Sequence, residues 1–435
     1  MTCQIRQSPM PCFLLWTTLS VENKRQNGLW KKRWIDSYDV WSKKLASRCS
    51  RQQRSRLLHL VDGLEQQQSS TNERKSLTYK LYVLWKFCRP HTFIGTLTAI
   101  SSLTILANEY VSQFLQRVGN NWCENTVSYK DTFLLWKYVY RWFLPCNTTS
   151  SSVGIGSRKL SDSLVTTISQ SQGWTAILGF LTALVPALLI NVYIVGLNQL
   201  FDIEIDQINK PYLPLASKEL SVRWAWVIVT LCGSLGLILG LVLPKTSVPL
   251  IGTLFGSTLL GSMYSIPPIR LKRYPLFSSF CILVVRGVLV NIGFSQHARI
   301  VAGYGASLSP CCWFYSIFFA LFGICIALMK DIPDVKGDRM FHLRSFSVIL
   351  GPQVVFRWTV LFLTGVFFVS SYVLWLIVPI LFCKWLLVGC HLVFGLALWM
   401  KSFHVDAENS KQVYEFYMFL WKVFYGVYIL LPLAG

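Results

Sequence analysis

Two groups of acidic side chains stand at helical spacing, each at the end of an apolar run. The first is N-Q-L-F-D-I-E-I-D, with Asn198, Asp202 and Asp206 at i, i+4 and i+8. The second is K-D-I-P-D-V-K-G-D, with Asp331, Asp334 and Asp338 at i, i+3 and i+7. On a helix each set shares one face. An ionised carboxylate in or beside hydrocarbon is costly, so acidic stripes on apolar helices point to a use. Two facing carboxylate stripes form an oxygen-rich site for hard cations. Mg²⁺ held this way usually keeps a substrate phosphate among its ligands. The chemistry implied is that of an enzyme handling a diphosphate at a membrane.

A departing diphosphate must be neutralised, and metal ions supply most of that charge. Asp202, Asp206, Asp331 and Asp334 are the expected ligands of about two or three Mg²⁺. Asp338 lies furthest along and is either a further ligand or a helix cap beside Gly337. Glu204 points off the aspartate face. Lys210, Lys330, Arg270 and Lys272 lie near the motifs in sequence, where they can contact phosphate oxygens directly. Lys272 and Arg273 could equally be membrane anchors. Tyr264, in M-Y-S-I-P-P-I-R, is a candidate for the same diphosphate site, although tyrosine at a span end is also the usual interfacial belt residue. Asn198 lies one turn deeper than Asp202, toward the reacting carbon. Pro333 should break the end of its helix, which is tolerated where backbone lines a polar cavity. Arg286, within L-V-V-R-G-V-L-V, is an intramembrane arginine and so a candidate functional residue, with snorkelling or a structural pairing as the other reading. His91, in R-P-H-T, reads as structural.

The elements that position these residues follow from composition. The chain has 435 residues, 53% hydrophobic and 14% charged, with mean hydropathy +0.45. A soluble domain carries about 25% charged residues, so this is a polytopic, all-α membrane protein. Apolar runs of about 20 residues predict nine spans, at 91–108, 174–200, 223–243, 248–266, 276–296, 312–331, 355–378, 380–400 and 413–433. With nine spans, the tail shares a side with the loops after spans two, four, six and eight. Those loops hold Lys210, Lys218, Arg223, Arg270, Lys272, Arg273, Lys336, Arg339, Arg344, Lys401 and Lys411. The opposite loops hold little beyond Lys245 and Arg299. Lysine and arginine prefer the cytoplasm-equivalent side, which places the N-terminus and both aspartate motifs on that inner side. The net charge of +21 is accounted for by this topology and by the tail, so no nucleic-acid partner is inferred.

Residues 1–75 differ from the rest, with fourteen Lys and Arg against six Asp and Glu and abundant Ser and Gln. They read as an organelle transit leader or as a disordered basic tail, with 76–435 as the membrane domain. Segment 109–172 is an unusually long connection. Its aromatic stretch Phe133–Phe143 is either an interfacial amphipathic helix or part of a poorly ordered insertion. The thirteen cysteines are scattered without a C-x-x-C pair and read as small buried hydrophobes.

The two aspartate motifs resemble those of the UbiA superfamily of intramembrane prenyltransferases, and in particular its plant plastid aromatic branch of homogentisate phytyl/geranylgeranyl and flavonoid or coumarin enzymes. The supporting runs are F-C-R-P-H-T-F-I-G-T (87–96), N-K-P-Y-L-P-L-A-S (209–217), Y-S-I-P-P-I-R-L-K-R-Y-P (264–275), S-F-S-V-I-L-G (345–351) and E-F-Y-M-F-L-W-K-V-F-Y (415–425). The resemblance implies nine helices around a cavity open to lipid, capped by the loops after spans two and six. It implies Mg²⁺-dependent ionisation of a prenyl diphosphate and alkylation of an aromatic acceptor in a plastid membrane, with the motifs on the stromal side. It assigns Asp202, Asp206, Asp331 and Asp334 to metal, and Asn198, Lys210, Arg270, Lys272 and Lys330 to the surroundings of the diphosphate. Lys218 departs from the family, which carries glycine after L-A-S. The acceptor expected is a plant phenolic (flavonoid, coumarin or simple phenol), with homogentisate as the alternative. A cation-coupled transporter is the remaining reading. It would place its acids near the bilayer midplane, whereas these stand at helix ends.

Overall fold

The computed structural model describes residues 77–107, 158–267 and 269–434, so the leader, the stretch Phe133–Phe143 and most of the long connection lie outside the described residues. The helices are α1 (Leu77–Phe87), α2 (Pro90–Leu106), α3 (Arg158–Phe201), α4 (Ile203–Asn209), α5 (Val222–Val242) and α6 (Val248–Ser265). A continuous rod follows over Pro275–Val301, made of α7 (Pro275–Leu283), a π-helical segment (Val284–Gly293) and α8 (Phe294–Val301). Then come α9 (Pro310–Asp331), α10 (Val335–Met340), α11 (Phe346–Leu350), α12 (Pro352–Ile377), α13 (Leu381–Ser402) and α14 (Ser410–Leu430). No strand occurs among the described residues.

Local chemistry sets several helix starts. Ser221, Ser247 and Ser309 cap α5, α6 and α9 by accepting a backbone N–H of the first turn. Proline stands in the first turn of α2, α6, α7, α9 and α12, where its missing N–H costs nothing.

All nine expected spans are helical at their expected places. Seven are long and apolar enough to cross a bilayer on length and composition, among the described residues. The other two are α2, of 17 residues, and α6, whose sequence is diluted by Gly, Ser and Thr. Length and composition therefore support seven crossings, not the full nine. The connection after span one is also shorter than expected, because helix α3 begins at Arg158 and so takes in the last part of 109–172.

The spans close into a ring. α2 packs on α3, α3 on α5 and α6, α6 on the π segment, and the π segment on α9; α9 meets α12, α12 meets α13, α13 meets α14, and α14 returns to α2. Aromatic side chains fill the joint between α9, α12 and α14: Phe319 stacks on Tyr428 at 3.7 Å between centroids, and Phe318, Phe322, Phe367 and Phe424 pack around it, all essentially sealed from solvent. The other side of the ring, between α3, α6 and the π segment, is left hollow.

Candidate active site

The first motif does not lie on one continuous helix. α3 stops at Phe201, and Asp202 (φ −115°, ψ 14°) caps the short helix α4, which carries Asp206. The second motif is likewise split, as Pro333 requires. Asp331 ends α9, Asp334 caps α10, and Asp338 lies in its first turn. The even spacing read as one helical face is thus corrected in both motifs. Each motif is a span end followed by a short cap helix, which lets carboxylates converge from two directions.

The two cap helices touch, and Asn209 at the end of α4 accepts the Gly337 backbone N–H at 2.8 Å. A Cβ on Gly337 would come within 2.6 Å of the Asn209 side chain, so this contact needs glycine. Between the motifs lies a small polar chamber of about 50 Å³. It is lined by Asp202, Asp206, Asp331, Asp334, Asp338, Asn198, Tyr264, Lys210, Lys272, Lys330 and Arg89. Every expected site residue except Arg270 lines it, and Arg270 reaches Asp202 at 2.9 Å.

Hydrogen bonds and ion pairs fix these groups. Asp202 accepts from Asn198 at 3.0 Å, from Arg270 and from Lys272. Lys210, arriving from the loop after α4, pairs with Asp334. Lys330 stands 3.4 Å from Asp331 and donates to the Tyr264 hydroxyl at 3.2 Å, which also accepts from Ser278. Tyr264 is therefore part of the chamber wall and not only a belt residue. Glu204 is exposed, as its position off the face implies. Asp338 is buried and lines the chamber.

Burial opposes ionisation of Asp202, but Lys272 and Arg270 outweigh it and hold the carboxyl below the usual range. Burial raises Asp206, with Asp202 and Asp334 adding to it and Lys210 and Arg89 opposing. Asp338 is pushed up to about 7, by burial first and then by Asp331 and Asp334. The cluster therefore contains both firmly ionised carboxylates and carboxylates short of positive charge.

Among the described residues no three acidic, His or Cys side chains form a ready cage for one ion. Mg²⁺ is seldom held by an all-protein cage; it is bound through one or two carboxylates plus phosphate and water. The donor set here is all oxygen. Asp334 Oδ1 is also buried without a hydrogen-bond partner, the mark of a carboxylate awaiting one. The residues fit a Mg²⁺–diphosphate better than a bare ion.

Two residues of the site escaped the sequence reading. Arg89 lines the chamber and donates to Asn198 Oδ1 at 3.5 Å. It sits at the start of α2 with φ 48°, and Arg270 likewise adopts φ 36°. Backbone strain of this kind concentrates at functional sites. Asn209 is the other, and its role is in the loop contact. Only the run R-P-H-T hinted at Arg89.

A larger, mostly apolar cavity of about 250 Å³ opens below, deeper in the bundle. Asn198, Tyr264, Lys330 and Arg89 line both spaces and form the boundary between them. A third space of about 480 Å³ lies outside, under the loop Lys210–Leu213 and Tyr414. The arrangement can hold an anionic head in the polar chamber and an apolar body in the cavity beneath. The acids stand at span ends, as a metal–diphosphate site needs and a midplane cation pathway does not.

Comparison with known proteins agrees. The family model described as UbiA prenyltransferase family matches residues 163–423. A homogentisate phytyltransferase of Synechocystis sp. is 41% identical over 58% of this chain and 80% of its own length. Homogentisate phytyltransferase 1, chloroplastic, of Arabidopsis thaliana is 35% identical over 83% of this chain and 78% of its own. Naringenin 8-dimethylallyltransferase 2, chloroplastic, of Sophora flavescens is 35% identical over 59% and 63%. With the family matched across most of the bundle and both motifs meeting at one chamber, the chain belongs to the UbiA prenyltransferase family and is a membrane aromatic prenyltransferase.

Proposed function

We propose that this protein transfers a long prenyl group from a prenyl diphosphate to an aromatic carbon of homogentisate, with Mg²⁺, in a plastid membrane and with both aspartate motifs on the stromal side. The observation that supports the acceptor is the likeness taken as a whole: homogentisate enzymes reach 41% identity over 58% of this chain and 35% over 83% of it, against 35% over 59% for the flavonoid enzyme. This reverses the preference for a flavonoid, coumarin or simple phenol drawn from the sequence.

Mg²⁺ would be held by Asp202, Asp206, Asp331 and Asp334, with Asp338 beside them, and would supply positive charge to the diphosphate oxygens. The chain's own residues do the rest. Lys210, Lys272, Arg270 and Lys330 are paired with carboxylates in the free protein. When donor binds, these cations exchange carboxylate oxygens for diphosphate oxygens, a transfer between charge-assisted partners. Asn198 and Tyr264, on the boundary between chamber and cavity, orient the C1–O bond. That bond breaks, the ring carbon bonds to C1, and loss of a proton or of CO₂ restores aromaticity. The apolar walls below exclude water from the electrophilic carbon.

The test is prenyl transfer in membranes bearing the chain. Phytyl, geranylgeranyl and dimethylallyl diphosphates are each offered with homogentisate and with a flavanone, in Mg²⁺ or in chelator. Mg²⁺-dependent product from homogentisate and a long donor is expected. Transfer only to the flavanone would refute the acceptor. Transfer undiminished in chelator would refute the metal.

A further inference from the structure

The deep cavity contains one cation that the diphosphate site does not use. Arg286 lies in the π-helical segment and lines the cavity. Its guanidinium sits 5.4 Å from the Trp421 ring centroid and 5.7 Å from that of Phe424. Among the described residues it forms no ion pair, and no hydrogen bond from its guanidinium is found. The carboxylates of the site line the polar chamber and not this cavity. An unpaired guanidinium inside a bundle is costly.

The side chain is held in place rather than left loose. Asn291, five residues on in the π-helical segment, donates its Nδ2 to the Arg286 carbonyl. Asn291 Oδ1 in turn accepts from Tyr428 at 3.0 Å. The Arg286 stem lies on Gly323 of α9, where an added Cβ would meet Arg286 Cβ at 3.2 Å. Gly323 is seven residues before Lys330, which puts this stem about 10 Å below the diphosphate end at 1.5 Å per residue. His91, Tyr417 and Trp421 line the same cavity, and His91 packs edge-on to Tyr417 at 5.9 Å and tilted on Trp421 at 5.2 Å. These rings therefore share the cavity wall with the guanidinium.

We infer that Arg286 is an acceptor-binding residue that pairs with a carboxylate carried by the aromatic acceptor. This rests on the proposed function and deepens it: homogentisate is an arylacetate, whereas a flavanone has no carboxylate. The ion pair neutralises Arg286, and it selects arylcarboxylic acids over neutral phenols.

Two measurements test it in the full-length protein. In the first, kinetics are compared for homogentisate and its methyl ester. Arg286→Gln should raise KM for homogentisate 10- to 100-fold, leave KM for the ester and for the prenyl donor within 3-fold, and so erase the preference for the acid. Arg286→Lys should keep part of that preference. Equal losses for acid and ester, or an unchanged KM for homogentisate, overturn the inference. The second needs no turnover: quenching of tryptophan fluorescence by 4-hydroxyphenylacetate and by its methyl ester. Binding of the acid over the ester, lost in Arg286→Gln, upholds the subsite even if homogentisate is not prenylated. Turnover of homogentisate without any acid preference in wild type refutes the subsite and leaves the proposed function standing.

Discussion

Lys210 offers the sharpest test of how the polar chamber works. In the free protein its ammonium is paired with Asp334, at side-chain exposures of 16% and 9%. If it turns to the diphosphate when donor binds, Lys210→Gln removes one charge-assisted hydrogen bond from the complex. Such a bond contributes about 1.5–3 kcal/mol, or roughly 10- to 150-fold in donor KM at 1.4 kcal/mol per decade. The pair with Asp334 is also lost, which lowers the cost of freeing the lysine and moves the expectation to the lower half, about 10- to 50-fold. Acceptor KM should change by less than about 3-fold. The variant also leaves both Asp334 oxygens without a cation, since Oδ1 already lacks a partner. Mg²⁺ binding in the absence of donor should therefore tighten while donor binding weakens. Steady-state kinetics with each substrate varied, together with Mg²⁺ titration of the donor-free protein, read both effects. Equal rises in donor and acceptor KM, or weaker Mg²⁺ binding, would refute the exchange and leave Lys210 as a loop anchor.

Asp202→Ala and Asp331→Ala should each abolish prenyl transfer while the protein still inserts in the membrane; turnover above about 1% in either, on the scale of 2.7 kcal/mol of lost stabilisation, would remove that residue from the site. Asp338 is raised to about 7 in the donor-free protein, and Mg²⁺ binds the carboxylate form, so affinity should fall as pH drops through 7 with a proton released on binding. Asp338→Asn should remove that part of the pH dependence, which calorimetry in two buffers would show. Lys218, in the cap loop, holds φ 61°, a conformation that favours glycine. Lys218→Gly should stabilise the cap loop by about 1 kcal/mol and raise the thermal midpoint without changing KM; a lower midpoint would show that the side chain itself holds the loop.

Much of this protein was legible in sequence because a bilayer imposes strict local rules. Helices must satisfy their own backbone in lipid, so all nine apolar runs became helical, eight of them within about five residues of their expected ends, while α3 starts sixteen residues early at Arg158. The cost of placing a carboxylate at a span end marked both motifs in the same way. The two spans that fell short are α2, which has only 17 residues, and α6, whose sequence is diluted by Gly, Ser and Thr.

Other features depended on the tertiary structure, because they are relations between distant residues. Residue types and spacing were enough to single out Asp202, Asp206, Asp331 and Asp334 as the proposed metal–diphosphate set. They could not show that each motif breaks into a span end and a cap helix, because the break at Asp202 has no proline to announce it. They could not show which lysine rests on which aspartate, since Lys210 and Asp334 lie 124 residues apart. Nor could they bring Arg89 to Asn198, or separate the crowded cations of the upper chamber from the solitary Arg286 below. A hydrophobic run specifies its own helix, but the charge environment of a buried side chain is the sum over every helix packed against it, and only the closed ring of spans determines that sum.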